Sequence, residues 1–370
     1  MSTNYKKLGD YITQRREKNT TINLPICGLC REGLIPPKQQ DADISLYNVF
    51  YKNDFIFNPA RMELNSITLN TEYDKAICSS LYEIFYINDT SKLLPEFLFV
   101  QLKTDNFVRF CEFQGQGSVR EYCRFANISE YPVIVPDLKE QEKIVNTYNA
   151  ITKRIQLKQK INENLEKTAQ CLFDELNINK ESFEEKTIAE ISNSVICGKT
   201  PSTAIKEYWG TDIPFITIPD MHGKNFISQT ERYLSQEGKS SQENQTLPPK
   251  SICVSCIATV GLVSITTTIS QTNQQINSII CKEGISPFYV FMTLKGMNEE
   301  LKRLGAGGST TLNISKSLFS SIKIAIPNKK EMDLFENEIS PIFDSILMNE
   351  KEISKLQELK QLVISRISGM

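Results

Sequence analysis

Two stretches of the chain share one rhythm of apolar positions. In the first, apolar residues fall at Ile144, Tyr148, Ile151, Ile155, Ile161, Leu165, Ala169, Leu172 and Leu176; in the second, at Phe335, Ile339, Ile342, Ile346, Ile353, Leu356, Val363 and Ile367. Steps mostly of three and four put one narrow seam on each predicted helix, while Lys, Glu, Gln and Asn crowd the opposite faces. A narrow seam is the pairing surface of a coiled coil, and each helix is the natural partner of the other. A whole domain separates them in sequence, so an antiparallel pair is expected. If residues 139–176 are all helical they extend about 57 Å, at 1.5 Å per residue. Lys158, Asn349 and Lys360 interrupt the seam, so a long unbroken zipper is not implied. Ser340-Pro341 lies inside the second pattern; a serine cap followed by proline at the first helical position predicts a restart there, with a kink near 340.

Ahead of each helix the pattern changes to short runs of strand character: Val49-Phe-Tyr, Asp54-Phe-Ile-Phe57, Leu81–Ile87, Ile213–Ile218 and the stretch Ser251–Ser270. Gly, Asn, Asp and Pro punctuate these runs. Short helices are expected at Pro95–Phe110 and Pro287–Leu304. The two halves repeat each other. A shift of 191 positions lays YPVIVPDLKEQEKI (131–144) on IKIAIPNKKEMDLF (322–335) without a gap. The same shift pairs Gly117-Ser118 with Gly308-Ser309, and Lys7-Leu-Gly-Asp-Tyr-Ile12 resembles Lys186-Thr-Ile-Ala-Glu-Ile191. Within the repeat Met332 stands where the first copy has Gln141. The expected class is α+β: two globular β-rich domains (1–136 and 179–327), each followed by a long helix (137–178 and 328–370), the helices pairing antiparallel in a pseudo-twofold plan.

Composition narrows the chemistry. With 370 residues the chain suggests two or three domains, and 42 Lys+Arg against 44 Asp+Glu gives no global pull toward nucleic acid. There is no apolar run of membrane-spanning length and no signal-like amino terminus, so a cytoplasmic location is expected. His222 is the sole histidine, which removes most triads and imidazole acid–base schemes. Ten cysteines include two CxxC pairs, Cys27/Cys30 and Cys253/Cys256. In an apolar strand, positions three apart point to opposite faces, which favours buried reduced thiols over a four-thiolate zinc site. The Gly198-Lys199-Thr200 triplet is not a phosphate loop. That loop needs glycine five residues earlier, where Asn193 stands. No methylase motif of the Asn/Asp-Pro-Pro-Tyr/Phe type and no nuclease carboxylate cluster is present.

Several fragments in order carry a resemblance. In the second half they are Gly198-Lys-Thr-Pro-Ser202, Glu207-Tyr-Trp-Gly210, Ile213-Pro-Phe-Ile-Thr-Ile-Pro-Asp220, Thr259-Val-Gly261, Asn273-Gln-Gln-Ile276 and Gly308-Ser309…Asn313-Ile314. In the first they are Tyr51-Lys-Asn-Asp-Phe-Ile-Phe-Asn-Pro59, Ser79-Ser-Leu-Tyr82 and Gly115-Gln-Gly-Ser118. Doubled, and each followed by a Pro-terminated strand and a long helix, the set resembles the specificity subunits of type I restriction–modification enzymes over essentially the whole chain. The resemblance implies a non-catalytic DNA-reading subunit whose two target recognition domains each take half of a bipartite, asymmetric sequence, the paired helices setting the unread gap. It further implies two docked modification subunits that bind S-adenosylmethionine and methylate adenine, with restriction subunits joining for cleavage. This chain itself would hold no cofactor and no metal.

Reading bases calls for Arg or Lys against guanine and Asn or Gln against adenine, with phosphate contacts for position. The candidate DNA-binding residues are Arg15, Arg16, Arg61, Arg120 and Arg124 in the first domain. In the second they are Lys199, Thr200, Ser202, His222, Lys224, Ser309, Thr310 and Thr311. Each has a plainer alternative: Arg15, Arg16 and Lys18 can be a solvated face, Asn273-Gln-Gln275 can satisfy backbone at a strand end, Gly308-Ser309 can shape a turn, and Trp209 can pack in a core. Two other readings stay open on sequence alone. One is the recognition subunit of an enzyme combining cleavage and methylation. The other is a tandem β-domain scaffold that binds proteins, with the helices as a stalk.

Overall fold

Both long patterns fold as helices, and both begin on the same local device. Asp137 follows Pro136 and accepts from the Glu140 N–H at 2.9 Å. Asn328 follows Pro327, accepts from the Glu331 N–H at 3.1 Å, and donates its own N–H to the Glu331 carboxylate at 3.2 Å. An Asx cap with Glu three residues on ties up donors that the first turn cannot use internally. Helix α4 then runs 39 residues, Leu138–Leu176, and α11 runs 40, Lys329–Ser368. The computed structural model describes residues 6–21, 23–30, 33–37, 43–115, 122–178, 183–306 and 312–368. They divide into two compact units: Met1–Gln156 with Lys355–Met370, and Leu157–Ser354. Among the described residues no helix is long and apolar enough to cross a membrane.

In the first unit, β1 (Lys6–Lys7) pairs antiparallel with β10 (Pro132–Val133). One four-stranded sheet has the order β2 (Ile12–Arg15), β9 (Glu83–Ile87), β6 (Phe55–Phe57), β7 (Ile67–Leu69). The other runs β4 (Gly33–Ile35), β3 (Ile26–Cys30), β8 (Lys75–Cys78), β5 (Asn48–Tyr51), with β3 and β8 parallel. The expected helix at Pro95–Phe110 is two helices, α1 (Pro95–Leu102) and α2 (Asp105–Gly115). Thr104 makes the break, its Oγ1 donating to the Gln101 carbonyl and accepting from the Phe107 N–H. A short α3 (Phe125–Ser129) precedes β10. The core joins Phe55, Phe85, Phe97 and Phe107 to Ile144, Val145 and Tyr148 of α4 and to Ile364 and Ile367 of α11. Gln141 is fully buried yet satisfied: it accepts from the Leu94 N–H and donates to the Lys92 and Pro136 carbonyls.

In the second unit, β11 (Glu184–Thr187) pairs with β20 (Lys323–Ile326), repeating the β1–β10 closure. A five-stranded sheet has the order β12 (Ser192–Cys197), β19 (Ile276–Cys281), β16 (Ile252–Ser255), β17 (Val263–Thr266), β14 (Phe226–Ile227). A three-stranded one runs β15 (Arg232–Leu234), β13 (Trp209–Ile216), β18 (Gln271–Thr272). The helices are α5 (Ile188–Ile191), α6 (Ile218–Met221), α7 (Gln236–Ser240), α8 (Pro287–Gly296), α9 (Asn298–Gly305) and α10 (Lys316–Ser321). Here too an expected single helix, Pro287–Leu304, breaks, with Met297 ending α8 and opening α9. Cys253 lies in the small cluster with Ile216 and Ile276, whereas Cys256 joins the main core with Ile252 and Val254. The two thiols of that CxxC therefore face different cores. Burial pushes them up, to about 12 and about 11.

The first half of α11 is a wall of this core. Met332, Phe335, Ile339, Phe343 and Ile346 are all buried. Phe343 stacks on Phe288 at 4.5 Å and meets Phe291 edge-on at 5.6 Å. Met332, the repeat counterpart of Gln141, packs among apolar side chains and needs no partner. The predicted restart at 340 does not occur. The helix continues through Pro341, and Ser340 turns its hydroxyl back to Glu336 at 2.8 Å instead of capping a new helix. Tertiary packing on both sides of the proline holds the helix together where the local signal alone would have broken it.

Each unit contains its own stretch of antiparallel helix pairing. In the second, Phe173 packs against Phe335 at 6.3 Å between ring centroids and Lys158 contacts Asn349 and Glu352, each at 2.9 Å. In the first, Lys360 lies over the Tyr148 ring at 4.6 Å. Positions on one helix rise as those on the other fall. One predicted seam position is turned outward. Ile161 is exposed at 45%, and Asn162 turns inward to accept from Asn349 at 2.7 Å. A polar corner of the second unit fastens both helices to the sheet. Asn225 donates to Glu166 of α4 at 2.8 Å and accepts from Lys295 at 2.9 Å, while the Phe226 N–H donates to Glu350 of α11 at 3.3 Å.

Candidate nucleic-acid interface

In the second unit the loop after β12 is held by its backbone and presents its side chains. The Gly198 N–H donates to the Ile276 carbonyl at 3.0 Å and the Lys199 N–H to the Thr272 carbonyl at 2.9 Å. A side chain at 198 has no room, because its Cβ would come within 2.2 Å of the Asn273 carbonyl oxygen and of Thr272 Oγ1. Below the loop, Gln242 donates to the Lys199 carbonyl at 2.9 Å and to Gln271 Oε1 at 2.7 Å. Gln271, fully buried, in turn donates to the Lys239 carbonyl and to Thr246 Oγ1, each at 3.0 Å. Buried amides in such a chain fix one geometry, since a misplaced loop would leave them unpaired. Trp209 pins the far end, its indole N–H donating to the Ser202 carbonyl at 3.3 Å.

The side chains of Lys199 and Ser202 are left exposed on this platform. Thr200 is partly covered and donates to Gln274 Oε1 at 2.7 Å. Asn273 folds onto Gln275, accepting from its N–H at 3.1 Å, which is the backbone-satisfying alternative. Trp209 is half-buried, edge-on to Phe215 at 5.3 Å, and carries the guanidinium of Arg232 on its ring at 3.6 Å from the centroid. His222 and Lys224 are exposed on a separate turn, where Gly223 takes φ +69°; that turn follows α6 and leads into Asn225 at the helix-bound corner. The structure therefore gathers Lys199, Thr200 and Ser202 on one loop, and carries His222 and Lys224 on a separate turn after α6. Ser309, Thr310 and Thr311 lie outside the described residues, as does Arg120.

In the first unit the arginines divide. Arg15 is clamped by Asp54 through two hydrogen bonds, 2.6 Å and 3.0 Å, and lies between the rings of Tyr51 and Tyr86 at 4.7 Å and 4.6 Å. Burial pushes the Asp54 carboxyl up, and the guanidinium's hydrogen bonds and charge pull against that push. Arg15 thus holds β2 to the Tyr51–Asp54 turn. Arg16 and Arg124 are exposed and joined through a polar chain: Arg16 donates to Gln14 at 2.8 Å, Gln14 to Glu83 at 3.3 Å, and Arg124 to Glu83 at 3.3 Å. Arg61 is exposed on the turn after β6, at a point where the 3-10 backbone is broken (φ −140°, ψ 34°). Lys18 donates to the Leu46 carbonyl and to Asn48.

Arg232 is the residue that sequence reasoning did not single out. Its partner Trp209 belongs to another strand, and only the β13–β15 pairing brings the two together. A solitary Trp a few residues past a loop rich in candidates was the available signal.

The type I restriction modification DNA specificity domain matches the chain twice, over residues 37–167 and 180–362. The specificity subunit of the type I restriction enzyme HindI from Haemophilus influenzae is 30% identical over 376 aligned positions, covering 81% of this chain and 82% of its own length. The MjaIX specificity subunit of Methanocaldococcus jannaschii is 33% identical over 193 positions, 50% of this chain and 44% of that one. Among solved structures, the S subunit of a type I restriction–modification system from M. genitalium matches with a TM-score of 0.66 at 14% identity, covering 99% of this chain and 96% of its own. At that identity the likeness is one of fold.

Proposed function

The chain belongs to the type I restriction–modification DNA specificity family, and from that premise we propose that it reads a bipartite, asymmetric DNA target, one half-site per unit. It is a DNA sequence-recognition subunit and not an enzyme; methyl transfer and cleavage belong to the methyltransferase and restriction subunits with which the family assembles. Two modification subunits dock along the paired helices and carry the S-adenosylmethionine, and the assembly works in the cytoplasm. One observation carries the two-headed reading: the specificity domain occurs twice in this chain, at 37–167 and at 180–362. Two reading heads on one chain raise each other's effective concentration on a single duplex, so modest half-site affinities suffice. The loop at 199–202 and the chain Arg16–Gln14–Glu83–Arg124 are the faces we assign to DNA. Exposed Lys199 and Arg61 are suited to phosphate, which positions without specifying.

The test is a map of methylated adenines in the source genome with the gene present and deleted. Loss of one motif of two short blocks separated by unread bases supports the reading. A methylation pattern indifferent to the gene sinks it. Purified complex should also bind duplex DNA with a steep salt dependence, as neutralised phosphates require.

A further inference from the structure

Among the described residues, Arg15, Arg124 and Arg232 lie against aromatic rings in contrasting surroundings. Arg15 is neutralised by Asp54 and Arg124 by Glu83, at 2.6 Å and 3.3 Å. Arg232 sits on Trp209 at 3.6 Å, closer than either of the others sits on its ring, and among the described residues it has no ion-pair partner. At that distance the flat guanidinium covers the indole face, so its N–H donors point outward along its own plane. The indole beneath is itself fixed, edge-on to buried Phe215 and hydrogen-bonded to the Ser202 carbonyl. A charged fork is thus held in a set orientation beside the loop that presents Lys199 and Ser202. A phosphate contact needs charge and tolerates a floppy side chain; a bidentate base contact needs an oriented fork.

We propose that Arg232 is a base-reading residue of the second unit, donating two hydrogen bonds to O6 and N7 of a guanine in the major groove. The inference rests on the DNA-recognition reading above. Trp209 is the positioning residue that fixes the plane of the fork.

The experiment uses the chain assembled with its modification subunits, and begins from the motif lost on gene deletion. If no motif is lost, the recognition reading fails and this inference with it. Given a motif, Arg232→Lys and Arg232→Ala are compared with wild type by genome-wide adenine methylation and by binding to duplexes substituted one base pair at a time. Expected is relaxation by roughly tenfold or more at one G·C pair of one half-site, with the other half-site unchanged. Lysine keeps the charge but not the fork, so Arg232→Lys should relax that position while retaining the salt dependence. A motif with no G·C pair in either half-site overturns the proposal and leaves the reading intact. So does uniform weakening on every sequence with a shallower salt slope, which marks a phosphate contact. So does a lowered melting point with unchanged sequence preference, which marks an arginine that only caps the indole.

Discussion

Lys158 and Asn349 stand 191 residues apart, the length of the internal repeat, and the lysine amine donates to the asparagine side-chain carbonyl across 2.9 Å. A residue that touches its own counterpart marks the axis of a self-complementary pairing, as in an isologous interface. The helix pair is therefore built like a homodimer seam written on one chain. Its axis is polar: Lys158 also pairs with Glu352 at 2.9 Å, and Asn349 donates to buried Asn162 at 2.7 Å. One buried polar pair in an apolar seam costs stability and fixes register, because any slip leaves its atoms unpaired.

Asn162 and Asn349 should therefore behave as a coupled pair. Asn162→Leu or Asn349→Leu alone strands a buried amide and should cost about 1–3 kcal/mol. The double substitution replaces both partners with apolar groups and should recover most of that loss. Lys158 keeps Glu352 in every arm. Thermal denaturation of the four proteins decides it, and additive losses would show that the hydrogen bond is incidental.

Glu350 should make stability depend on pH. Burial first, and the charge of Glu166 in addition, raise its carboxyl to about 7 from an ordinary 4.5, while the Phe226 and Asn225 N–H groups pull the other way. Between those two pH values the folded protein holds a proton that the unfolded chain has released. This group's contribution therefore falls as pH rises through the window and levels off above about 7. Glu350→Gln keeps an acceptor for the two N–H groups and abolishes the charge. The variant should melt near wild type at pH 5 and be more stable than wild type at pH 8, by on the order of 2 kcal/mol. Equal losses at both pH values in the Glu350→Gln protein would falsify this account.

How far the sequence spoke for itself depends on whether partners were local. The helix starts were legible because Pro136-Asp137 and Pro327-Asn328 carry their caps beside them. The antiparallel pairing was legible because period and repeat are properties of the string. Pro341 misled, since a proline and a serine argue locally for a break while Ile339 and Phe343 are held from outside by the sheet domain. Arg15 and Arg16 are neighbours with equal claims in sequence, yet Asp54, far along the chain, takes one and leaves the other exposed. Arg232 needed Trp209 from another strand to become conspicuous.

Gly198 should tolerate no side chain. An alanine methyl would lie 2.2 Å from a backbone carbonyl, so the loop or β18 must move. Overpacking of this kind costs about 1–3 kcal/mol. The more telling readout is sequence recognition. Gly198→Ala shifts Lys199 and Ser202, and methylation should lose preference in the half-site read by the second unit while the other is retained. Unchanged recognition with a lowered melting point would mean that the loop is structural only.

The length of the helix pair should set the unread gap, and the structure says where to alter it. Changing residues 147–160 together with the repeat-matched 338–351 would cut into Ile339, Phe343 and Ile346 of the second core. Loss of one such buried side chain costs about 2–5 kcal/mol. The division between units instead crosses α4 after Gln156 and α11 after Ser354. A seven-residue helical insertion at both points, continuing the seam, leaves the core of each unit untouched. Seven residues add about 10.5 Å of helix and nearly two full turns, which preserves the facing of the seam. At about 3.4 Å per base pair along each strand, the gap in the methylated motif should lengthen by about three base pairs. Both half-sites should stay as they were, because no residue of either reading face has changed. An insertion in only one helix shifts the pairing on one side of the division by a heptad against the other, so the Lys158–Asn349 and Tyr148–Lys360 contacts cannot both keep their register along the same two helices, and it should abolish methylation rather than lengthen the gap. Altered half-sites with a constant gap would show that the helices do not measure.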